Sequence, residues 1–285
     1  EDGWILRLKP FYRSQKNVQQ LYEEGQFSEN IRNGLFDLIS NVLFFEVEGS
    51  HGTRFYPRWG MHSLSTFQYL DDFTKQKLDE IYIDYFYHRQ DEFWFQSGME
   101  KLPVLKQTTD MLICGEDLGM MTPCVTRAMK ELGILSLEIQ RAPKTNKIEF
   151  FHPSDAPYLS VVTPSTHDMS TIRGWWEEDR NITQRFYNTQ LGHWGEAPYF
   201  CEWWICRDIL LQHVYSPAIW AIFQIQDLLG VSEKLRRENP HEERINVPSD
   251  SKKSWRYRLH LNLEDLLKED DFNRQIRNYI RQAGR

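Results

Sequence analysis

The sequence predicts an α/β fold, with about four parallel strands in its second part, and three observations predict it. From residue 110 onward, short apolar runs alternate with helical stretches. Before residue 110 that alternation is missing and apolar residues fall at helical spacing instead. Apolar residues make up 40% of the chain and charged residues 26%, a balance that suits a packed globular protein rather than a disordered one. Strand, helix, strand, helix in that order implies a parallel sheet with covered faces. A closed barrel of this kind needs about eight strands. The expectation is therefore half of a (β/α)8 barrel over residues 110–285, preceded by a mainly helical region over 1–109.

The elements follow in order. Residues 17–26 show no strand alternation, and Ile31, Leu35, Leu38, Ile39 and Val42 have helical spacing through to Phe45. Gly49 to Gly60 has the Gly and Pro content of a polar loop. Leu78, Ile81, Tyr82, Tyr85 and Phe86 then mark a helix with charges between them. Met111–Cys114 is the first apolar run of the second part and ends at Gly115. Thr122-Pro123 is an N-cap residue followed by Pro at the first helical position, and the helix it opens stops at Gly133. Ile134–Ile139, Tyr158–Thr163 and Ala218–Ile225 are the three further strand-like runs, with helical stretches between and after them.

Composition excludes several partners. Lys plus Arg number 34 against 41 Asp plus Glu, a net charge of −7, and no basic stripe is present to neutralise phosphate, which disfavours nucleic acid. No run of about 18 apolar residues occurs, so no membrane span is expected. The four cysteines have neither C-x-x-C nor zinc-site spacing, and so few in a long chain suggest a reducing, cytoplasmic setting. Ten Trp are present, densest at Trp175-Trp176 and Trp203-Trp204. They have two readings, core packing or flat platforms for sugar rings.

Two acidic sites fall just past strand-like runs, where barrel enzymes place their chemistry. Gly115-Glu116-Asp117-Leu118-Gly119 follows the first run, and Thr166-His167-Asp168 follows the third. Two carboxylates facing one cleft are what glycoside chemistry requires, one to protonate the leaving oxygen and one to act as nucleophile or charge stabiliser. Against this, Glu116 and Asp117 also suit the positive end of a following helix. Trp59 is either a sugar platform or a packing residue of the polar loop, and the same choice holds for His51, Arg54 and Arg58.

The wording around these dipeptides narrows the choice. "GEDLGMMTPCV", "TPSTHDMSTIRGWWEED" and the closing "QDLLGVSEKLRRENPHEERINVPSDSKKSWRYRL" occur in order over residues 111–259. Together they resemble glycoside hydrolase family 77, the amylomaltase-type 4-alpha-glucanotransferases. Ser165 and Met169, with the polar segment around Gly49–Gly60, resemble its longer plant and gut-bacterial branch. The resemblance implies the C-terminal half of a TIM barrel after a helical insertion. It also implies a retaining transfer of α-1,4-glucan segments between malto-oligosaccharides, without metal or organic cofactor. By match to the motifs, Glu116 is the general acid/base and Asp168 the transition-state stabiliser, with His167 and Asp117 as candidate sugar contacts; Trp59, in the polar loop outside the motifs, is a further candidate.

One departure matters. The family nucleophile is an Asp followed by His, and no Asp-His dipeptide occurs in this chain. Asp84 lies in a helical pattern and is a poor replacement, so the nucleophile is expected upstream of Glu1 and the chain alone is expected to be inactive. Two competing readings are a carbohydrate-binding half-domain without activity and a plain α-glucan hydrolase.

Overall fold

The computed structural model describes residues 8–119, 121–145, 147–250, 252 and 255–285. The chain divides into two compact units, Glu1–Phe93 and Trp94–Arg285. The change of sequence pattern near residue 109 falls at the end of the helix Gln90–Gln107.

The first unit opens with two helices, Gln15–Glu23 and Glu29–Ser40, packed on each other with Val18 fully buried. The helical spacing had suggested one helix running to Phe45, followed by a loop. Instead the helix stops at Ser40, and Phe44–Glu46 (β1) pairs antiparallel with Phe55–Pro57 (β2), Phe45 opposite Tyr56. The reason is a long-range capture. The Asn41 side chain donates to Ser65 Oγ at 2.6 Å and accepts from Thr66 N at 3.3 Å, contacts that no local pattern announces. At the hairpin tip His51 and Gly52 both have left-handed backbone, φ 51° and 78°, and Gly52 N donates to Glu46 Oε1 at 2.7 Å. The helix Asp72–Ile83 is capped by Asp71, which accepts from Thr74 N at 2.9 Å. It runs on through a π-helical turn at Asp84–Arg89, where Asp84 pairs with Arg89 at 2.7 Å.

In the second unit Ser136–Ile139 (β3), Ser160–Thr163 (β4) and Trp220–Ala221 (β5) form a parallel sheet in chain order. The run Met111–Cys114 joins it only through a parallel bridge from Cys114 to Leu135. All four apolar runs thus lie side by side, but the first is reduced to a single bridged residue pair. Successive side chains on a strand point to opposite faces. Val162 is fully buried in one cluster with Ala156 and Ala218. Leu137, Val161, Trp220 and Ile222 line an open concavity of about 500 Å³ together with Leu112 and Cys114. Cys114 ends the first apolar run. It is exposed because this face of the sheet is uncovered. The main core lies between the helices Ile172–Trp176, Arg180–Thr189 and Trp203–Val214, around Trp176, Phe186, Ile205 and Ile209. The helix Pro123–Leu132 begins after Thr122 and ends at Gly133, φ 62°, as Pro and Gly at its ends require.

His213, in the helix Trp203–Val214, has no exposed surface, and its Nδ1 donates to the Ile209 carbonyl at 2.8 Å. Burial, with a smaller push from Arg141, moves its pKa down to about 4 from 6.5. The native state therefore holds it neutral at a pH where the unfolded chain is protonated. Its stability contribution is complete above pH 6.5 and is lost as pH falls toward 4. Thermal melts of wild type across that interval should lose roughly 3 kcal/mol of stability, and His213→Asn should flatten the profile.

Candidate active site

Glu116 is held by a substitution in the sheet ladder. Leu135 N donates to Ile113 O at 2.9 Å, and Gly115 N donates to Leu135 O at 2.8 Å, two ordinary parallel rungs. The next rung is taken over by a side chain, as Leu137 N donates to Asp117 Oδ1 at 2.8 Å. Asp117 Oδ2 takes Lys144 Nζ at 2.5 Å, and the same ammonium meets Glu138 Oε1 at 2.7 Å. Asp117, only 7% exposed, thus faces inward with both oxygens engaged. It had been read as a sugar contact. Its carboxylate instead anchors the strand end, because a backbone N–H on β3 needs an acceptor where the chain peels away. Alternation then turns Glu116 out onto the open face beside Cys114. Gly115 is closely approached here, since a Cβ at that position would lie 3.0 Å from Met129 Cε and the Met129 side chain would have to give by a few tenths of an ångström.

Asp168 lies past the carboxyl end of β4, so one strand, β3, separates its strand from that of Glu116. Asn246 Nδ2 donates to Asp168 Oδ1 at 2.6 Å, and His167 Nε2 lies 3.3 Å from Oδ2. Asp168 keeps 43% of its side-chain surface and His167 51%, and the His167 ring sits 4.8 Å from Trp255. The loop between β4 and Asp168 is shaped from behind by Arg141, two residues past β3. Its guanidinium donates to Pro164 O at 3.1 Å, Ser165 Oγ at 2.8 Å and Ser170 O at 2.7 Å. It also lies over the Trp175 ring at 5.0 Å. Loss of surrounding water pushes the Arg141 pKa down to about 10, against the opposing charges of Asp227 and Glu178.

A second brace comes from the segment after Pro240. Glu243 is buried, receives Arg173 through a short ion pair, and accepts from Thr171 Oγ1 at 3.0 Å. Burial raises the Glu243 pKa, and Arg173 opposes the rise. Asp227 is also buried. Its Oδ1 accepts from Ile172 N at 3.0 Å and satisfies the first turn of the helix Ile172–Trp176. Burial pushes its pKa up as well, with the Ile172 N–H and Arg141 opposing. These contacts bring Asn246 to Asp168.

Trp59 belongs to the first unit. It stacks on Tyr82 at 5.7 Å and meets Phe86 edge-on at 5.0 Å, while 43% of its surface stays exposed. Sequence reasoning missed Arg141 and Lys144 and noted Asn246 only as a motif letter. A signal was available for Asn246, in its Asn-x-Pro setting. Arg141 and Lys144 stand in unremarkable polar surroundings and offered none. Among the described residues, no three His, Cys, Asp or Glu side chains are grouped to hold a metal ion, and no helix is long and apolar enough to cross a membrane.

An α/β sheet with two acids at the carboxyl edge of its strands is the arrangement of an enzyme that works at that edge. Comparison with known proteins agrees in class. The pattern described as 4-alpha-glucanotransferase, glycoside hydrolase family 77, matches residues 35–263. A 4-alpha-glucanotransferase of Oryza sativa subsp. japonica is 42% identical over 257 residues, which cover 90% of this chain and 27% of the rice protein. One from Chlamydia pneumoniae is 31% identical over 191 residues, 66% of this chain and 36% of its own. Among solved structures, an amylomaltase from Streptococcus agalactiae in complex with acarbose matches with TM-score 0.47 and 20% identity, over 65% of this chain and 34% of that one. The chain belongs to glycoside hydrolase family 77, the 4-alpha-glucanotransferases. It spans about a quarter to a third of the length of the curated relatives it matches.

The Arg141 contacts make a stability prediction. Arg141→Met leaves three loop acceptors without their donor and should cost roughly 3 kcal/mol or more. Urea unfolding of the variant measures it. A cost below about 1 kcal/mol would show that the loop holds its shape without the guanidinium.

Proposed function

We propose that this chain supplies the acid/base and the stabilising carboxylate of a retaining 4-alpha-glucanotransferase. The reading rests on one observation above the rest. Glu116 projects from the carboxyl edge of a parallel sheet into an open concavity, and Asp168, oriented by Asn246, lies at the same edge one strand away. In the first half-reaction Glu116 protonates the glycosidic oxygen as the bond to the leaving sugar breaks. In the second it takes a proton from the acceptor sugar hydroxyl as that oxygen attacks. Asp168, its Oδ1 fixed by Asn246, accepts hydroxyl hydrogen bonds as the sugar ring gains oxocarbenium character. His167 sits beside it as a further hydroxyl partner. Trp59 is kept as a sugar platform of the polar loop.

The uncovered apolar face supports the half-barrel reading, since Leu137, Val161, Trp220 and Ile222 are the kind of side chains that fill a barrel interior. Residues 1–109 then act as the insertion region. The nucleophile belongs to the part of the barrel that this chain does not contain, because a retaining route needs a carboxylate roughly 5–5.5 Å from the acid/base. Substrates are α-1,4-glucans and malto-oligosaccharides. Four free thiols suit a reducing cytoplasmic compartment.

Two tests bear on this. In the full-length enzyme, Glu116→Gln should lower transfer from maltotriose by about 10²–10⁴-fold, and less for a donor with an activated leaving group. Wild-type transfer by that variant removes Glu116 from the role. Residues 1–285 alone, incubated with maltotriose, should yield neither longer nor shorter oligomers. Turnover would mean that a carboxylate within the chain acts as nucleophile, with Asp84 and Asp227 the first to mutate. Longer products from the full-length enzyme separate transfer from plain hydrolysis.

A further inference from the structure

We propose that the cleft between the helix Ile172–Trp176 and the closing segment is a binding site for an oxyanion carried on the glucan, a phosphate monoester on a sugar hydroxyl. The proposal rests on the glucan reading above and narrows its substrate class. The cleft measures about 630 Å³ and is lined by Arg237, Arg244, Lys252, Arg256 and Arg258. Among the described residues only two carboxylates line it, Glu242, paired with an arginine, and Glu178, bonded to a hydroxyl and still charged. Glu178 accepts from Ser170 Oγ in a short hydrogen bond, and Glu242 faces Arg237 Nε at 3.5 Å.

The remaining four cations have no carboxylate partner among the described residues. Arg244 is half-buried and tied only to neutral groups, Asn246 O at 3.0 Å and Ser170 Oγ at 3.2 Å. Arg258 meets only the Tyr257 carbonyl, at 2.9 Å. Four cations converging on one concavity repel one another, an arrangement that costs stability unless an anion fills it. In a chain of net charge −7 the concentration is local. A neutral glucan gives guanidinium groups nothing but hydroxyls. A phosphate monoester offers a dianion whose oxygens accept the paired N–H bonds of a guanidinium fork.

Location ties the cleft to the reaction. Its lining includes Ser170 and Thr171, which follow Asp168 in the same loop, and Ile245 and Val247, which flank the Asn246 that holds Asp168. A glucan anchored there by its phosphate would be presented along the loop that carries the stabilising carboxylate.

The experiment is a binding titration of the full-length enzyme with three probes at low and high salt: maltoheptaose, maltoheptaose carrying one 6-phosphate, and inorganic phosphate. Arg256→Gln/Arg258→Gln is compared with wild type, both positions being exposed and, among the described residues, without a bond to another element. The phosphorylated sugar should bind at least about tenfold more tightly than the neutral one at low salt. Salt and the double variant should each remove that advantage and leave maltoheptaose binding unchanged. Equal binding of the two sugars by wild type overturns the proposal and leaves the glucanotransferase reading standing. An advantage that survives in the double variant also overturns it. Inorganic phosphate binding as tightly as the phosphorylated sugar reduces the cleft to a simple anion site and refutes the glucan part. Tight binding of the phosphorylated sugar with no transfer between neutral glucans would support the cleft and count against the catalytic reading instead.

Discussion

The candidate site depends on the Arg141 guanidinium. It stands just past β3 and reaches across to the loop that follows β4, where three acceptors from Pro164, Ser165 and Ser170 close around it. Those acceptors bracket Thr166-His167-Asp168, so the loop cannot relax without breaking several charge-assisted bonds at once. Such bonds are roughly twice as strong as neutral ones. The cost appears in the guanidinium itself, whose pKa falls to about 10 from loss of water. Asp227 and Glu178 offset that cost by their charge.

Around this centre the second unit uses one device repeatedly, which is to let a side chain complete a backbone pattern. Asp117 replaces a missing carbonyl in the ladder, and Asp227 receives the first N–H of the helix Ile172–Trp176. In both places an acid takes up an N–H that a strand or helix terminus leaves without a backbone partner. The result is that two acids serve structure so that two others, Glu116 and Asp168, can stay open to solvent. Neighbouring letters in one motif therefore have opposite duties. Glu116 points out and Asp117 points in, because side chains alternate along an extended chain.

The open apolar face gives the same sheet a different character on its two sides. Val162 and Ala221 belong to a packed cluster, while Val161 and Trp220, one residue earlier on each strand, line the concavity beside Glu116. A parallel sheet is normally covered on both faces. The matches to the curated relatives compared above cover 27% and 36% of those proteins' own lengths.

How much of this was legible in sequence varies by element. The parallel strands were, because apolar runs of four to eight residues between helical stretches have few other solutions. Pro123 and Gly133 marked their helix because one residue locks φ and the other allows φ of 62°. Glu116, Asp168 and His167 stood out because their motif letters occur together and in order. The β1–β2 hairpin was hidden, since Asn41 captures Ser65 and Thr66 across 24 and 25 residues, and no window of local periodicity contains that contact. The inward turn of Asp117 was equally invisible. A dipeptide of two acids does not say which one meets a strand N–H and a lysine, and Lys144 lies 27 residues away. What the sequence by itself determined was the kind of element at each place and the residues able to do chemistry. Which carboxylates remained free to do it was decided only in the tertiary structure, because a carboxylate is available to a ligand only when no buried N–H or cation has already claimed its oxygens.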